Sequence, residues 1–169
     1  MTRRIFHLKW PHWKHEENSI RGAIYAAEHG YDAIDLDLQL TADQVIVVTH
    51  WARPMRRDRF YDLRRHRIDP DTPISRLTWS QVKRLRTPDG YRIRRVGRML
   101  KVCARLGITA VLEPKTPAFA ADWIWQHIAR LADAAGTDVE AYALRSHGGE
   151  ATMRAARRNH VRPARVIDG

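Results

Sequence analysis

Apolar runs of strand length alternate with amphipathic helical segments along this chain, and acidic or histidine residues sit at the ends of several of those runs. Together these predict an α/β fold of TIM-barrel-type βα repeats, because helices between strands build a parallel sheet and barrel enzymes collect their chemistry at strand ends. Length limits the barrel. A full barrel has eight βα units in about 250 residues, and this chain has 169 residues. About six parallel strands are therefore expected, an incomplete barrel forming a single domain over residues 1–169, whose open edges favour a homo-oligomer.

Each element has a local reason. Ile5-Phe6-His7-Leu8 reads as the first short strand, and a helix follows from Ser19 with Ile20, Ala23, Ile24 and Ala27 on one face and Gly30 as its stop. Residues 33–40 and 45–49 read as two strands separated by the polar turn Thr41-Ala42-Asp43-Gln44. Residues 51–73 are irregular and charged, as a functional or disordered loop would be. Thr78-Trp79-Ser80-Gln81 is a capping box that opens a short helix through Leu85. A helix over 94–106 stops at Gly107, a strand covers 108–113, and Thr116 with Pro117 starts a long helix ending near Gly136. A strand over 140–144, a helix over 150–158 and a strand over 164–167 complete the series.

Net charge is +11, concentrated in arginines within 53–67 and 92–98. Such a surface implies anionic partners, although Asp58, Asp62 and Asp69 interleave with the arginines and no recognition helix accompanies them, which disfavours nucleic acid. The lone Cys103 permits no intrachain disulfide and falls in the apolar row Val96, Met99, Leu100, so a buried thiol is expected. No apolar run reaches the roughly 18 residues of a membrane span, and no signal-peptide pattern follows Met1; a cytoplasmic location is expected.

Asp35 and Asp37 stand two apart on a strand and share a face. Near Glu113 from another strand they make an all-oxygen trio suited to Mg²⁺ or Ca²⁺; the alternative, one or both aspartates facing solvent, holds if Ile34, Leu36 and Leu38 face the helices and no barrel lumen lies on the other side. His7 and His50 each end a strand, and two imidazoles near a metal-bound phosphate can divide acid and base work. His12 and His15 are spaced as a zinc pair but lack further ligands, and His7-Leu8-Lys9 matches the H-x-K of phospholipase D without its later Asp or second copy.

The stretches His7-Leu8-Lys9, Glu16-Glu17-Asn18-Ser19, the long run from Ile34 through Asp35-Leu36-Asp37 to Thr49-His50, Leu77-Thr78-Trp79-Ser80-Gln81-Val82, and Leu112-Glu113-Pro114-Lys115 resemble, in order and spacing, the glycerophosphodiester phosphodiesterase family. The resemblance covers about two thirds of the chain. It implies a metal-dependent phosphodiesterase acting on a small-molecule phosphodiester, with a divalent cation held by Asp35, Asp37 and Glu113 and with His7 and His50 as the acid/base pair. It further implies that Lys115 contacts the phosphate and that Glu17 lies in or just behind the ligand set. The chain departs from the family pattern at Asp35, where glutamate is usual, at Leu8, where a phosphate-binding arginine is usual, and at Trp51, where aspartate commonly follows the histidine. With Leu8 unable to bind phosphate, Lys9 is the neighbouring candidate for that charge. Two other readings compete: a basic nucleic-acid-binding module, and a non-catalytic interaction protein on a degenerate barrel.

Overall fold

The computed structural model describes residues 4–6, 17–56, 60–62 and 68–164. Its strands are β1 (Ile5–Phe6), β2 (Ala33–Leu40), β3 (Ile46–Val48), β4 (Tyr61–Asp62), β5 (Leu85–Arg86), β6 (Arg94–Arg95), β7 (Thr109–Pro114), β8 (Val139–Ala141) and β9 (Arg162–Pro163). The helices are α1 (Ile20–Glu28), α2 (Trp79–Val82), α3 (Val96–Leu106), α4 (Asp122–Ala135) and α5 (Gly149–Arg158). No described helix is long and apolar enough to cross a membrane.

β2 is the centre of the sheet. β7 pairs in parallel along it from Ala33↔Thr109 to Leu38↔Pro114, and β8 and β9 continue outward in parallel. A strand has only two edges, so β1 and β3 must share the other: β1 pairs in parallel at Ala33 and Ile34, β3 antiparallel at Leu38 to Leu40. β6 extends this side, antiparallel to β3. Among the described residues the sheet runs β6-β3-β2-β7-β8-β9 and does not close into a barrel.

The sheet is thus mostly parallel, with one departure from the six parallel strands expected. The four-residue turn 41–44 can close only a hairpin, since a parallel return needs a dozen residues or more. Gln44 takes a left-handed φ of 60° there, and the Val45 N–H donates to Thr41 Oγ1 at 2.9 Å. Several boundaries also differ. Arg94 and Arg95 pair with Val48 and Val47 as β6 before α3 begins at Val96. Gln81 Oε1 accepts the Thr78 N–H at 2.8 Å as a capping box should, but α2 ends at Val82, short of Leu85, which joins β5. Pro117 opens a separate 3₁₀ turn, Pro117–Ala120, because buried Phe119 gives its carbonyl to the Trp125 indole N–H at 2.7 Å; α4 then starts at Asp122. The final strand is β9, ahead of the expected 164–167, of which all but Ala164 lies outside the described residues.

Side-chain alternation divides the apolar residues between two faces. Ile34, Leu36 and Leu38 of β2 and Leu112 of β7 pack with Met99, Leu100, Trp125 and Ile128 in the sheet–helix core, where each fully buried large side chain contributes about 1.5–3 kcal/mol. Cys103 lies in this core, and burial pushes its thiol pKa up to about 12. On the opposite face Ala33, Val111 and Ala164 form a small apolar floor. A third cluster, with Val47, Phe60, Ile74, Leu77, Val82 and Leu85, fills the space under the hairpin.

Gly148 closes the β8–α5 loop at φ 85°, and a Cβ there would come within 3.0 Å of Pro117 Cα. Gly90 has a similar φ of 77° with nothing within 4 Å. In urea unfolding, Gly148→Ala is expected to cost about 1–3 kcal/mol more than Gly90→Ala, the difference being steric overlap beyond the shared left-handed strain.

Candidate active site

Because Ile34, Leu36 and Leu38 face the helices, the pleat turns Asp35, Asp37 and Gln39 to the other side, above the apolar floor of Ala33 and Val111. The parallel register sets Glu113 directly beside Asp37. Asp37 and Glu113 are only 7% and 5% exposed, so the solvent-facing alternative fails for Asp37, while Asp35 is half-buried.

Asp37 is the hub. Asn18 holds it twice, Nδ2 donating to Asp37 Oδ2 at 2.7 Å and Oδ1 accepting the Asp37 N–H at 2.7 Å. The left-handed φ of 60° at Asn18 belongs to the turn before α1, where Ser19 Oγ caps the helix by accepting the Gly22 N–H at 2.7 Å. Lys115 Nζ lies 2.7 Å from Asp37 Oδ1 and 2.6 Å from Glu113 Oε1. His50 Nδ1 lies 3.3 Å from Asp37 Oδ2, brought back over β2 by the hairpin, whose Thr49 N–H donates to the Asp37 carbonyl at 2.9 Å.

These contacts set the charges. Burial pushes the Asp37 carboxyl up, but hydrogen bonds from His50, Lys115 and Asn18 and the Lys115 charge outweigh it and hold the pKa at about 2. Burial likewise opposes the Lys115 ammonium, and Asp37 and Glu113 overcome it and raise its pKa. The hydrogen bond to Asp37 raises His50 above its ordinary 6.5, against partial burial.

Two residues reach the site without having been singled out in the sequence. Tyr142 Oη lies 3.0 Å from Asp35 Oδ2 and 2.7 Å from Glu113 Oε2, bridging two carboxylates with one proton. Its burial and the neighbouring charges raise the phenol pKa far above 10.0, so it stays a donor. A signal existed: Glu140 pairs with Val111, so Tyr142, two residues on, falls beside Glu113, but only the register reveals it. His147, in the 3₁₀ turn Arg145–His147 after β8, places Nδ1 3.9 Å from Glu113 Oε1. The expected His7 and Lys9 lie outside the described residues.

Among the described residues, two groups could hold a metal ion. Asp35, Asp37 and Glu113 each offer an oxygen, all within 4.8 Å of one another, and Glu17, Asp37 and His50 form a second set sharing Asp37. The first fits a hard divalent cation, because its three donors are all carboxylate oxygens.

The family model of the glycerophosphoryl diester phosphodiesterases matches residues 8–161, and the chain belongs to that family. None of the curated proteins matches it. Among solved structures, it is similar to a glycerophosphodiester phosphodiesterase from Parabacteroides distasonis, with 22% identity and a TM-score of 0.68 over 92% of this chain and 60% of the other. One from Agrobacterium tumefaciens has 20% identity and a TM-score of 0.71, over 94% and 63% of the two chains. An Oleispira antarctica phosphodiesterase, solved in complex with the product sn-glycerol-3-phosphate, has 14% identity and a TM-score of 0.60, over 84% and 56%. At these identities the likeness is one of fold, and the chain spans 56–63% of these structures' length.

The Asp37 contact makes a signed prediction for His50. A raised folded pKa means that the imidazolium favours the folded state below about pH 6.5, a contribution lost as pH rises through the folded value. In protein stripped of divalent cations, NMR titration should place His50 above 6.5, and Asp37→Asn should lower it. An unchanged titration in the variant would contradict the coupling.

Proposed function

We propose that this chain hydrolyses glycerophosphodiesters to an alcohol and glycerol phosphate. The observation that carries the reading is the meeting of Asp35, Asp37, Glu113, Lys115 and His50 at one end of the β2–β7 pair, in a chain of this family. The nucleic-acid and non-catalytic alternatives leave that buried cluster without a purpose.

Asp35, Asp37 and Glu113 would hold the divalent cation, Mg²⁺ or Ca²⁺, with Glu17 alongside through the set that it shares with Asp37 and His50. When bound, such an ion polarises a non-bridging phosphate oxygen and neutralises charge that builds in the transition state. Lys115, and Lys9 in place of the arginine absent at Leu8, bind the phosphate as point charges. Asp37 orients His50 through Nδ1, which leaves Nε2 for the substrate. The raised pKa of His50 supports it as the acid that protonates the leaving alkoxide, with His7 as the base for the attacking water or neighbouring substrate hydroxyl. The P–O bond to the alcohol breaks as the new P–O bond forms; hydroxyl attack gives a cyclic phosphate first. Tyr142, donating to Asp35 and Glu113, is a positioning residue for the ligands.

Turnover of glycerophosphocholine should stop in excess chelator and return with added divalent cation, and Asp37→Ala should abolish it. Undiminished turnover in chelator would refute the metal assignment. Tyr142→Phe should weaken Mn²⁺ binding, read by calorimetry, about 10–100-fold. Wild-type rate should follow a bell in pH, and His50→Gln should lose the alkaline limb, since a general acid must be protonated to act. Loss of the acidic limb instead would exchange the two histidine roles.

A further inference from the structure

On the far side of β3 from the carboxylates, α2, β5 and the segment leading through β6 into α3 enclose a groove of about 590 Å³. Among the described residues, seven of the nine that line it are lysine or arginine and none is acidic. Volume alone places it in the range of small-ligand sites, about 300–1,000 Å³.

The cations are crowded. Arg86 is only 8% exposed, and its Nη1 donates to the Lys83 and Leu85 carbonyls at 2.8 Å each, which fixes the guanidinium without cancelling its charge. Arg92 and Arg94 stand close enough to add to the burial that depresses its pKa. The Arg94 Nε is buried without a hydrogen-bond partner. Arg84 pairs with Asp62 at 3.3 Å. Arg95 lies 5.4 Å over the Trp79 ring, so this indole steadies a guanidinium at the rim.

Like charges gathered in a concavity repel, and an anion with several charges is the ligand that offsets them. Arginine forks match phosphate oxygens, which a carboxylate-poor wall of this kind leaves open to bind. We propose that this groove is a second anion site, separate from the catalytic carboxylates, that binds a multiply phosphorylated anion. It adjoins the candidate active site: Arg94 pairs with Val48, two residues before His50, and Arg92 and Ile93 also line the small cleft with Glu17 and Thr49. The chemistry is shared by a soluble polyphosphorylated compound and by clustered headgroups of an anionic lipid surface. The proposal does not depend on the hydrolytic reading, because binding is read without turnover.

The test uses calorimetry on the full chain with tripolyphosphate and orthophosphate as probes, in buffer without added divalent cations. Arg92, Arg95 and Arg98 are exposed, so their joint change to Gln leaves the core intact. A charge-matched control changes exposed Arg105, Arg130 and Arg157 to Gln. Tripolyphosphate should bind at least tenfold tighter than orthophosphate, and the groove variant should lose at least tenfold where the control loses less than twofold. Vesicles of phosphatidylglycerol bound with the same residue dependence would assign the lipid source; tripolyphosphate binding without vesicle binding would assign the soluble one. Equal losses in groove variant and control, or no preference for tripolyphosphate, would overturn the site. Duplex DNA bound tighter than either probe through the same arginines would replace it with a nucleic-acid surface.

Discussion

The burial of Asp37 is the constraint on which the rest of this structure turns. A carboxylate taken out of water is costly unless paired and hydrogen-bonded. Here Lys115, His50 and both side-chain polar atoms of Asn18 serve that one residue, and they come from three separate places in the chain. The loop before α1, the β2–β3 hairpin and the end of β7 must all be in place before Asp37 is satisfied. One side chain therefore couples the positions of three connections.

The pleat of β2 makes this possible. A shift of one residue against β7 would send Asp35 and Asp37 into the helix layer and Leu36 and Leu38 into the concave side. Leu36, Leu38 and Leu112 are fully buried among the helices, so the hydrophobic cost of a slip fixes the register, and the register in turn sets Glu113 beside Asp37. Packing on one face thus determines electrostatics on the other. Tyr142 extends the effect to the next strand, bridging Asp35 and Glu113 with a phenol that burial keeps protonated.

Charge is segregated between two neighbouring regions. The end of the β2–β7 pair gathers acids around the Lys115 ammonium, while the flank built by α2, β5 and β6 gathers arginines. The hairpin lies between them, with β2 on one edge of β3 and β6 on the other. For the phosphodiester substrate proposed above, a positive flank of this kind would raise the local concentration, and the effect would weaken with salt.

Much of this was legible in the residues. The alternation within 33–40, the capping box at Thr78, the left-handed stop at Gly107 and the burial of Cys103 rest on local periodicity and backbone chemistry, which the chain carries wherever it folds. The two aspartates on one face follow from the same period. Local pattern did not reveal the antiparallel return of β3, although the turn length required it, nor the strand at Arg94 and Arg95, whose arginines give no strand signal and pair only because β3 has a free edge. Tyr142 and His147 were equally hidden, since each reaches Glu113 from a strand or turn about thirty residues away in sequence. The sequence by itself determined which residues could do chemistry and which face of β2 they share. Only the tertiary structure decided what stands beside them, because register, strand direction and the counter-charges of a buried carboxylate are set by packing between segments that local periodicity does not connect.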